Sequence, residues 1–215
     1  MDILTIGLGT IGTTYSYLFN KAGHNVEHYI RKSSKKINIT ELNVDMLDGR
    51  NNKKGEHYTD IYRVNTHTKD NYDFIFISMP AGNIESVIET LISNNIKGTI
   101  ILCCGIWENK KYLEKVMQGR EYILGYPVAG GNIVDATLTC CVFDHFILEK
   151  KENSKIDNYD KLVSLFESCN IKLETPYDML EWIWLHMAIN AGVVSIAAKY
   201  ADIDNPTEAA ENLMS

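Results

Sequence analysis

Several sequence features are missing from this chain, and each absence excludes a class of protein. No run of about 18 apolar residues occurs without a polar interruption, which argues against a membrane-spanning helix. The chain carries 21 Lys and Arg against 28 Asp and Glu, and its net charge of −7 argues against a surface that binds nucleic acid. An apolar strand begins next to Met1, so no signal peptide is expected and the cytoplasm is the expected location.

The cysteines lack the spacing of a metal site or a disulfide framework. There are five, an odd number, and they include the adjacent pairs Cys103-Cys104 and Cys140-Cys141 inside apolar runs. We expect free, buried thiols and no metal site, as in a cytosolic protein. Five scattered histidines are expected to be surface or packing residues: His24, His28, His57, His67 and His145.

The composition is that of an ordinary globular protein, with strands and helices in regular alternation. Hydrophobic residues make up 45% and charged residues 23% of the 215 positions. Strands are predicted at residues 2–6, 24–30, 73–78, 97–104 and 121–124. Helical periodicity is found at residues 10–23, from residue 84, at 110–117 and at 159–169. This alternation predicts an α/β fold with a Rossmann-type, doubly wound parallel sheet.

The remaining segments before residue 178 predict less regular structure. Residues 37–70 are polar and are expected to form irregular loops with short edge strands. The glycine-rich residues 125–131 are expected to form a loop, followed by two antiparallel strands at 136–143 and 145–148. A last edge strand is predicted at residues 171–173.

A long helix is predicted from Asp178, a suitable N-cap, and this helix is apolar nearly all round. Such a helix needs burial on every side, yet few residues follow it. We therefore expect a dinucleotide-binding domain at residues 1–175 and the start of a truncated, all-helical second domain at 176–215. Burial of the helix against a second subunit, in a homodimer, is the alternative.

The segment between the first strand and the first helix has the spacing of a dinucleotide-binding turn: Gly7, Leu8, Gly9, Thr10, Ile11 and Gly12. The first glycine permits the tight turn, the second lets the backbone approach a pyrophosphate, and the third lets helix and strand pack closely. The N-terminus of the helix supplies N–H donors to the phosphates. The motif predicts dinucleotide binding, and the alternative is a bare glycine-rich turn.

Arg31 and Lys32 follow the second strand, where an NAD-specific site places Asp or Glu. Arginine can stack on adenine and form a bidentate contact with a 2′-phosphate, whereas an acidic side chain would repel that phosphate. The pair favours NADPH over NADH as the cofactor. The alternative is a solvated basic loop.

Several segments together resemble the ketopantoate reductase family, from Met1 through about Ala198. They are MDILTIGLGTIGTTY, YDFIFISMPAGNIESVI, ILCCGIWEN, LGYPVAGG and WLHMAIN. The resemblance implies an N-terminal NADPH domain, an all-helical C-terminal domain and a substrate cleft between them. It also implies that four further residues contact the cofactor: Met79, Pro80, Cys104 and Ala129.

The same resemblance locates three departures from the family pattern. Ketopantoate reductases carry a Lys after the third-strand run, an Asn in the next loop and a catalytic Lys on the long helix. These positions are Pro80, Cys104 and His186 in this chain. The chain therefore resembles a divergent branch that lacks the catalytic lysine of the family, and its substrate stays unnamed.

His186 and Asn190 are the candidate catalytic residues. At about 100° per residue they lie with Trp182 within an arc of about 80° on one helix face. Carbonyl reduction needs a hydride and a proton, and an imidazolium at His186 can deliver the proton while Asn190 hydrogen-bonds to the same oxygen. The alternative is that His186 is a satisfied histidine of the core.

Two functions remain open from the sequence. The first is an NADPH-dependent reductase of a small 2-oxo acid or a related carbonyl compound. The second is a non-catalytic dinucleotide-binding protein, a sensor or a decayed enzyme, because three side chains of the family are replaced. Turnover of a small-molecule carbonyl substrate distinguishes the two.

Overall fold

The structure is a computed structural model that describes the backbone of residues 1–80 and 82–199 and, within those ranges, the side chains up to residue 193. The described strands are β1 (Asp2–Ile6), β2 (Asn25–Tyr29), β3 (Glu41–Asp48), β4 (Glu56–Arg63), β5 (Asn71–Ser78), β6 (Lys97–Cys103), β7 (Tyr122–Val134), β8 (Thr137–Leu148) and β9 (Lys172–Glu174). The described helices are α1 (Thr10–Lys21), α2 (Ile84–Ser93), α3 (Lys110–Met117), α4 (Tyr159–Ser168) and α5 (Met179–Lys199). Over these ranges no helix combines the length and the apolar character needed to cross a bilayer.

The strands form one sheet in the order β2-β1-β5-β6-β7-β8-β3-β4, with β9 paired to β8. β2, β1, β5, β6 and the beginning of β7 run parallel, which confirms the predicted Rossmann-type sheet. Beyond them the sheet is mixed, because β8 is antiparallel to β7 and parallel to β3 and β9. The chain passes from β1 to β2 on one side, and β5 lies on the other side. This reversal of strand order creates a crevice at the carboxyl end of β1.

Alternate residues of the parallel strands enter two cores on opposite faces of the sheet. Phe74 and Phe76 of β5 belong to the core formed with α1 and α4. Ile75 and Ile77 belong to the core formed with α2, α3 and the start of α5. All four are fully buried, and burial of each such side chain contributes about 1.5–3 kcal/mol to folding. Helices on both faces are the doubly wound arrangement that the sequence predicts.

Aromatic rings fix α1 against the sheet. Tyr15 stacks on Phe76 with ring centroids 5.5 Å apart, and its ring meets that of Phe146 edge-on at 5.4 Å. Phe19, one turn later, contacts Phe76 at 6.0 Å and Phe166 of α4 at 5.8 Å. Because these rings are buried, the N-terminus of α1 is held at the carboxyl end of β1.

The expectation of irregular loops across residues 37–70 is wrong, whereas an edge strand is found there as β4. β3 and β4 pair over eight residues as an antiparallel hairpin, and β3 also pairs with β8. The side chains of β3 alternate between the two faces, and the buried ones are the apolar Leu42, Val44 and Met46 and the charged Asp48. This is the two-residue period of a strand. The surrounding Asn, Asp and Lys residues obscured it in the sequence.

Two further predictions are wrong: a loop at residues 125–131 and two separate strands after it. The structure has one unbroken strand in each place, β7 and β8. A Cβ atom on Gly131 would lie 2.2 Å from the backbone oxygen of Thr139 in β8. A Cβ atom on Gly125 would lie 2.8 Å from the ring of Phe146. These glycines allow the two strands to approach each other and do not form a turn.

Asp178 caps α5 as predicted, since its side-chain oxygen accepts a hydrogen bond from the backbone N–H of Glu181 at 3.0 Å. The helix buries Ile183. The opposite face carries an exposed apolar stripe, formed by Leu185, Ile189 and Val193. Burial on every side, which the sequence led us to expect, is therefore not found for the described part of this helix. Residues 200–215 of the predicted second domain lie outside the described residues, and the domain boundary at residue 175 stays a prediction.

Candidate functional site

A cavity of about 370 Å³ opens at the carboxyl ends of β1, β2 and β5. This is the crevice at which the strand order reverses, where open α/β sheets bind their ligands. Its walls come from the turn after β1, the loop after β2 and the segment that joins β5 to α2. Six of the residues predicted to bind the cofactor line it: Gly7, Leu8, Gly9, Arg31, Met79 and Pro80.

The three glycines of the turn have different surroundings. Gly7 has a φ of +83°, in the left-handed region that favours glycine. A Cβ atom on Gly12 would lie 3.0 Å from the side chain of Thr5, so this glycine permits close packing of α1 on β1. Gly9 has a φ of −84°, and a Cβ atom there would meet no atom within 4 Å. Neither backbone strain nor packing explains Gly9, whereas a ligand that approaches the backbone at this point would explain it.

The N-terminus of α1 is open to an anion. The helix begins at Thr10 and Ile11, after the N-cap residue Gly9. No side chain caps it, and its first turn contains no acidic residue. The first N–H groups of a helix have no partners within the helix, and the helix dipole favours negative charge beside them. The residues present therefore fit the pyrophosphate of a dinucleotide.

His28 and the backbone of β2 hold the glycine turn in place. The N–H of Gly7 donates to the carbonyl of Tyr29 at 2.8 Å, and Nδ1 of His28 donates to the carbonyl of Gly7 at 2.9 Å. Because a carbonyl only accepts, Nδ1 carries the proton and Nε2 accepts from the Tyr62 hydroxyl at 2.8 Å. Burial lowers the pKa of His28 to about 4, so the ring is uncharged at neutral pH. The sequence identified His28 only as a surface or packing residue.

The loop after β2 directs two cations towards the cavity. The N–H of Ser34 donates to the carbonyl of Arg31 at 2.8 Å, and the N–H of Lys36 donates to the hydroxyl of Ser34 at 3.2 Å. The ammonium of Lys36 donates to the carbonyl of Leu8 in the glycine turn at 2.7 Å. Arg31, Ser34 and Lys36 line the cavity, whereas Lys32 is exposed and does not. The structure thus places Lys36, and not the predicted Lys32, in the cavity wall together with Arg31.

The opposite wall contains polar groups that the sequence analysis missed. Asn83, Ser86 and Thr90 line the cavity from α2 and the residue before it. Residues at this spacing of three and four positions share one face of a helix. The periodicity of α2 identified the apolar face that packs on the sheet. The same periodicity, applied to the small polar residues, would have found this second face.

Cys104 and Ala129 do not line the cavity. Cys104 is buried at the end of β6, and burial raises the pKa of its thiol to about 12, so it is unreactive at neutral pH. Ala129 pairs with Val142 of β8 and packs against the core on the side of α1. Contact of Cys104 and Ala129 with the cofactor stays a prediction.

A second group of functional side chains lies where α5 packs on β7. The rings of Trp182 and His186 are stacked, with centroids 4.8 Å apart and planes inclined by 10°. Tyr126 of β7 meets both rings edge-on, at 5.1 Å from Trp182 and 4.6 Å from His186. The side-chain amide of Asn190 donates to the Tyr126 hydroxyl at 3.4 Å. The structure therefore brings the three predicted helix residues to one face and adds Tyr126.

The environment of His186 changes its expected chemistry. Burial lowers the pKa of His186, so its neutral form predominates at neutral pH in the free protein. The sequence hypothesis of an imidazolium donor relied on the opposite protonation state. Tyr126 was missed because its segment was interpreted as a glycine-rich loop, and a loop gives no basis for pairing a side chain with a helix.

A larger cavity of about 760 Å³ lies near the N-terminus of α5, with charged residues such as Lys110, Glu149 and Asp178 in its walls. None of the residues predicted to bind cofactor or substrate lines it. In the part of the chain that the structure describes, no group of three or more His, Cys, Asp or Glu side chains could hold a metal ion.

Solved structures share this fold at low sequence identity. The 2-dehydropantoate 2-reductase of Geobacter metallireducens GS-15 is 18% identical, with a TM-score of 0.66 over 88% of this chain and 63% of that one. The dimeric ketopantoate reductase of Staphylococcus aureus is 14% identical, with a TM-score of 0.65 over 92% and 63%. A D-mandelate dehydrogenase in ternary complex with NADH and anilino(oxo)acetate is 14% identical, with a TM-score of 0.65 over 88% and 61%. The chain thus spans less than two thirds of the length of each of these relatives.

The family comparison covers the glycine turn, the cavity and most of the sheet. No curated protein matches the sequence. Residues 3–134, well over half of the chain, match the family described as ketopantoate reductase PanE/ApbA. The chain belongs to the ketopantoate reductase PanE/ApbA family.

Proposed function

We propose that this chain is an NADPH-dependent reductase of a small 2-oxo acid or a related carbonyl compound. The observation that carries the proposal is the open space in front of Gly9 at the uncapped N-terminus of α1. Conformation and packing leave that glycine unexplained, and a bound pyrophosphate accounts for it. Family membership supports the same reaction class.

The proposed preference for NADPH rests on the cations of the loop after β2. Arg31 lines the cavity at the tip of β2, where the adenosine ribose of a dinucleotide is expected. Lys36 adds a second positive charge next to the glycine turn. A 2′-phosphate gains from two cations, and no acidic side chain lines this cavity in the described residues.

The proposed reaction takes place at the carboxyl edge of the sheet. When bound, the nicotinamide supplies a hydride to the carbonyl carbon. We propose that His186 and Asn190 position the carbonyl oxygen of the substrate, because a neutral imidazole and an amide can both form hydrogen bonds with it. Cys104, with its raised thiol pKa, takes no chemical part.

The substrate class is supported by the relatives. Two of the similar structures are named as reductases of ketopantoate or 2-dehydropantoate, and a third holds anilino(oxo)acetate together with NADH. Each of these names describes a 2-oxo acid or its derivative. The identity of the substrate within that class is part of the test.

A substrate panel tests the proposed function. The purified chain is mixed with NADPH and a series of 2-oxo acids, and the oxidation of NADPH is followed by absorbance. We expect at least one acid to accelerate the oxidation, and we expect Gly9→Val to abolish the effect. Binding of NADPH without turnover on any acid would contradict the proposal and support the non-catalytic alternative.

We further propose that the apolar stripe of α5 is an interface between two copies of this chain. Leu185 is 63% exposed and Ile189 is 54% exposed, which is unfavourable for apolar side chains on one helix face. The relative from Staphylococcus aureus is described as dimeric. Sedimentation of the wild type and of Ile189→Glu tests this proposal. We expect the wild type to be a dimer and Ile189→Glu to be a monomer, because the substitution introduces a negative charge into the interface. A wild type that is monomeric at all concentrations would contradict it.

The cytoplasmic location stays a prediction.

A further inference from the structure

Tyr126 lies at the edge of the sheet where the proposed reaction takes place. The preceding segment of β7, Tyr122–Leu124, is parallel to β6 and in register with residues 100–102. Tyr126 therefore follows the carboxyl end of the parallel part of β7, just as Cys104 follows β6 and Met79 follows β5. Ligands of this fold class bind outside those strand ends.

The ring of Tyr126 is held by two rings of α5. Trp182 and His186 contact it edge-on, with interplanar angles of 65° and 66°. A Cβ atom on Gly105 would lie 3.2 Å from the sulfur of Met187, so α5 is packed closely against the loop after β6. The orientation of the tyrosine is thus set by the helix that carries the two other candidate residues.

The hydroxyl of Tyr126 has a hydrogen available for a ligand. An amide N–H can only donate, so in its contact with Asn190 the tyrosine oxygen is the acceptor. Among the described residues, the Tyr126 hydroxyl donates no hydrogen bond of its own. The contact with Asn190 consequently orients the hydroxyl and leaves its proton free.

We propose that Tyr126 is the catalytic residue that protonates the substrate oxygen, with His186 and Asn190 positioning it. This inference rests on the proposed function and assigns the proton donor within that site. As the carbonyl carbon gains the hydride, the Tyr126 O–H bond breaks and a new O–H bond forms on the substrate. The carbonyl is reduced, the nicotinamide is oxidised, and the phenolate regains a proton from solvent.

The protonation states agree with this assignment. Burial raises the pKa of Tyr126, so its hydroxyl keeps its proton at neutral pH. Burial lowers the pKa of His186, which disfavours the imidazolium as a competing donor. A neutral phenol is a stronger acid than a neutral imidazole, and it therefore protonates a developing alkoxide more readily.

The test compares Tyr126→Phe with Tyr122→Phe. Both changes remove one hydroxyl from the same strand, and Tyr122 lies outside the proposed site, in the wall of the larger cavity. We expect Tyr126→Phe to lower kcat at least about 100-fold, the usual contribution of general acid catalysis, with the Kd for NADPH unchanged. We expect Tyr122→Phe to keep the wild-type kcat.

A binding measurement separates this inference from the proposed function. Oxamate, a non-reducible mimic of a 2-oxo acid, is titrated into each variant saturated with NADPH, and Tyr126→Phe is expected to bind it about tenfold more weakly. If the wild type turns over and Tyr126→Phe keeps its kcat, this inference fails while the proposed function stands. If the wild type reduces no acid, the proposed function fails, and the assignment of Tyr126 as its proton donor fails with it. Equal affinities, or no binding to the wild type, would overturn it.

Discussion

At the scale of single residues, the glycines of the turn differ in what a side chain would meet. A Cβ atom on Gly12 would lie 3.0 Å from the side chain of Thr5, whereas a Cβ atom on Gly9 would meet no atom within 4 Å. One motif therefore contains a glycine required by the fold and a glycine that only a ligand explains. Substitution by alanine can separate the two requirements.

We expect Gly9→Ala to leave the free energy of unfolding within about 1 kcal/mol of the wild type, because its backbone conformation suits any residue. The Kd for NADPH should rise at least about tenfold, since the new Cβ occupies the space of the pyrophosphate. Gly12→Ala should instead lose about 1–3 kcal/mol of stability through overpacking. Urea denaturation and calorimetric titration measure the two quantities. Unchanged NADPH affinity in Gly9→Ala would refute the assignment of this turn.

His28 makes the stability of the fold depend on pH. Its pKa is about 4 in the folded protein, against an ordinary histidine value of 6.5, because burial disfavours the charged ring. The unfolded chain therefore binds a proton more readily, and stability contributed by the neutral ring is present above pH 6.5 and is lost as the pH falls towards 4. At about 1.4 kcal/mol per pH unit, we expect a loss on the order of 3 kcal/mol over that window. Denaturant midpoints between these pH values test this, and His28→Gln should have a flatter profile than the wild type.

At the scale of structural elements, the loop between β2 and β3 decides which basic side chains face the cavity. In the sequence, Arg31 is followed by Lys32, Lys35 and Lys36. The sequence alone gives no reason to prefer one of these lysines as a residue of the cavity. The turn at Ser34 directs Lys36 towards Leu8 and leaves Lys32 in solvent. Two lysines of one loop can therefore serve as variant and control.

We expect Lys36→Ala to weaken both dinucleotides, NADPH by about tenfold and NADH less, because its ammonium lies beside the glycine turn common to both and also contributes to binding of the 2′-phosphate. Arg31→Ala should weaken NADPH selectively, since its proposed partner is the 2′-phosphate. Lys32→Ala should change neither affinity. Titration of each variant with both dinucleotides gives the measurement, and a Lys32→Ala effect equal to that of Lys36→Ala would contradict this loop geometry.

Helix α5 shows how far periodicity alone can locate a site. The spacing of Trp182, His186 and Asn190 predicts a shared helix face, and the structure confirms that they contact a common side chain. Periodicity cannot name that side chain, because Tyr126 is distant in sequence. Periodicity also cannot give the protonation state of His186, since that state depends on burial.

At the scale of the whole molecule, binding of the cofactor should stabilise the fold. A ligand at about 100 times its Kd adds about 2.7 kcal/mol if it binds only the folded chain. For a protein of this size we expect NADPH to raise Tm by roughly 5–10 °C. A thermal scan of wild type and Gly9→Ala at equal NADPH concentration measures this. A rise of equal size in both proteins would show that the stabilisation arises elsewhere.

The sequence by itself determined the βαβ unit, the glycine turn, the parallel part of the sheet and the cap of α5. These are local properties, set by the period of the apolar residues, by the conformational freedom of Gly7 and by the N-cap preference of Asp178. Only the tertiary structure decided that residues 41–48 and 56–63 are strands and that residues 125–131 continue one. It alone decided that Lys36 faces the cavity and that Tyr126 meets His186. The physical reason is that strand pairing, burial and side-chain contact join residues far apart along the chain, and no local pattern of residues records such contacts.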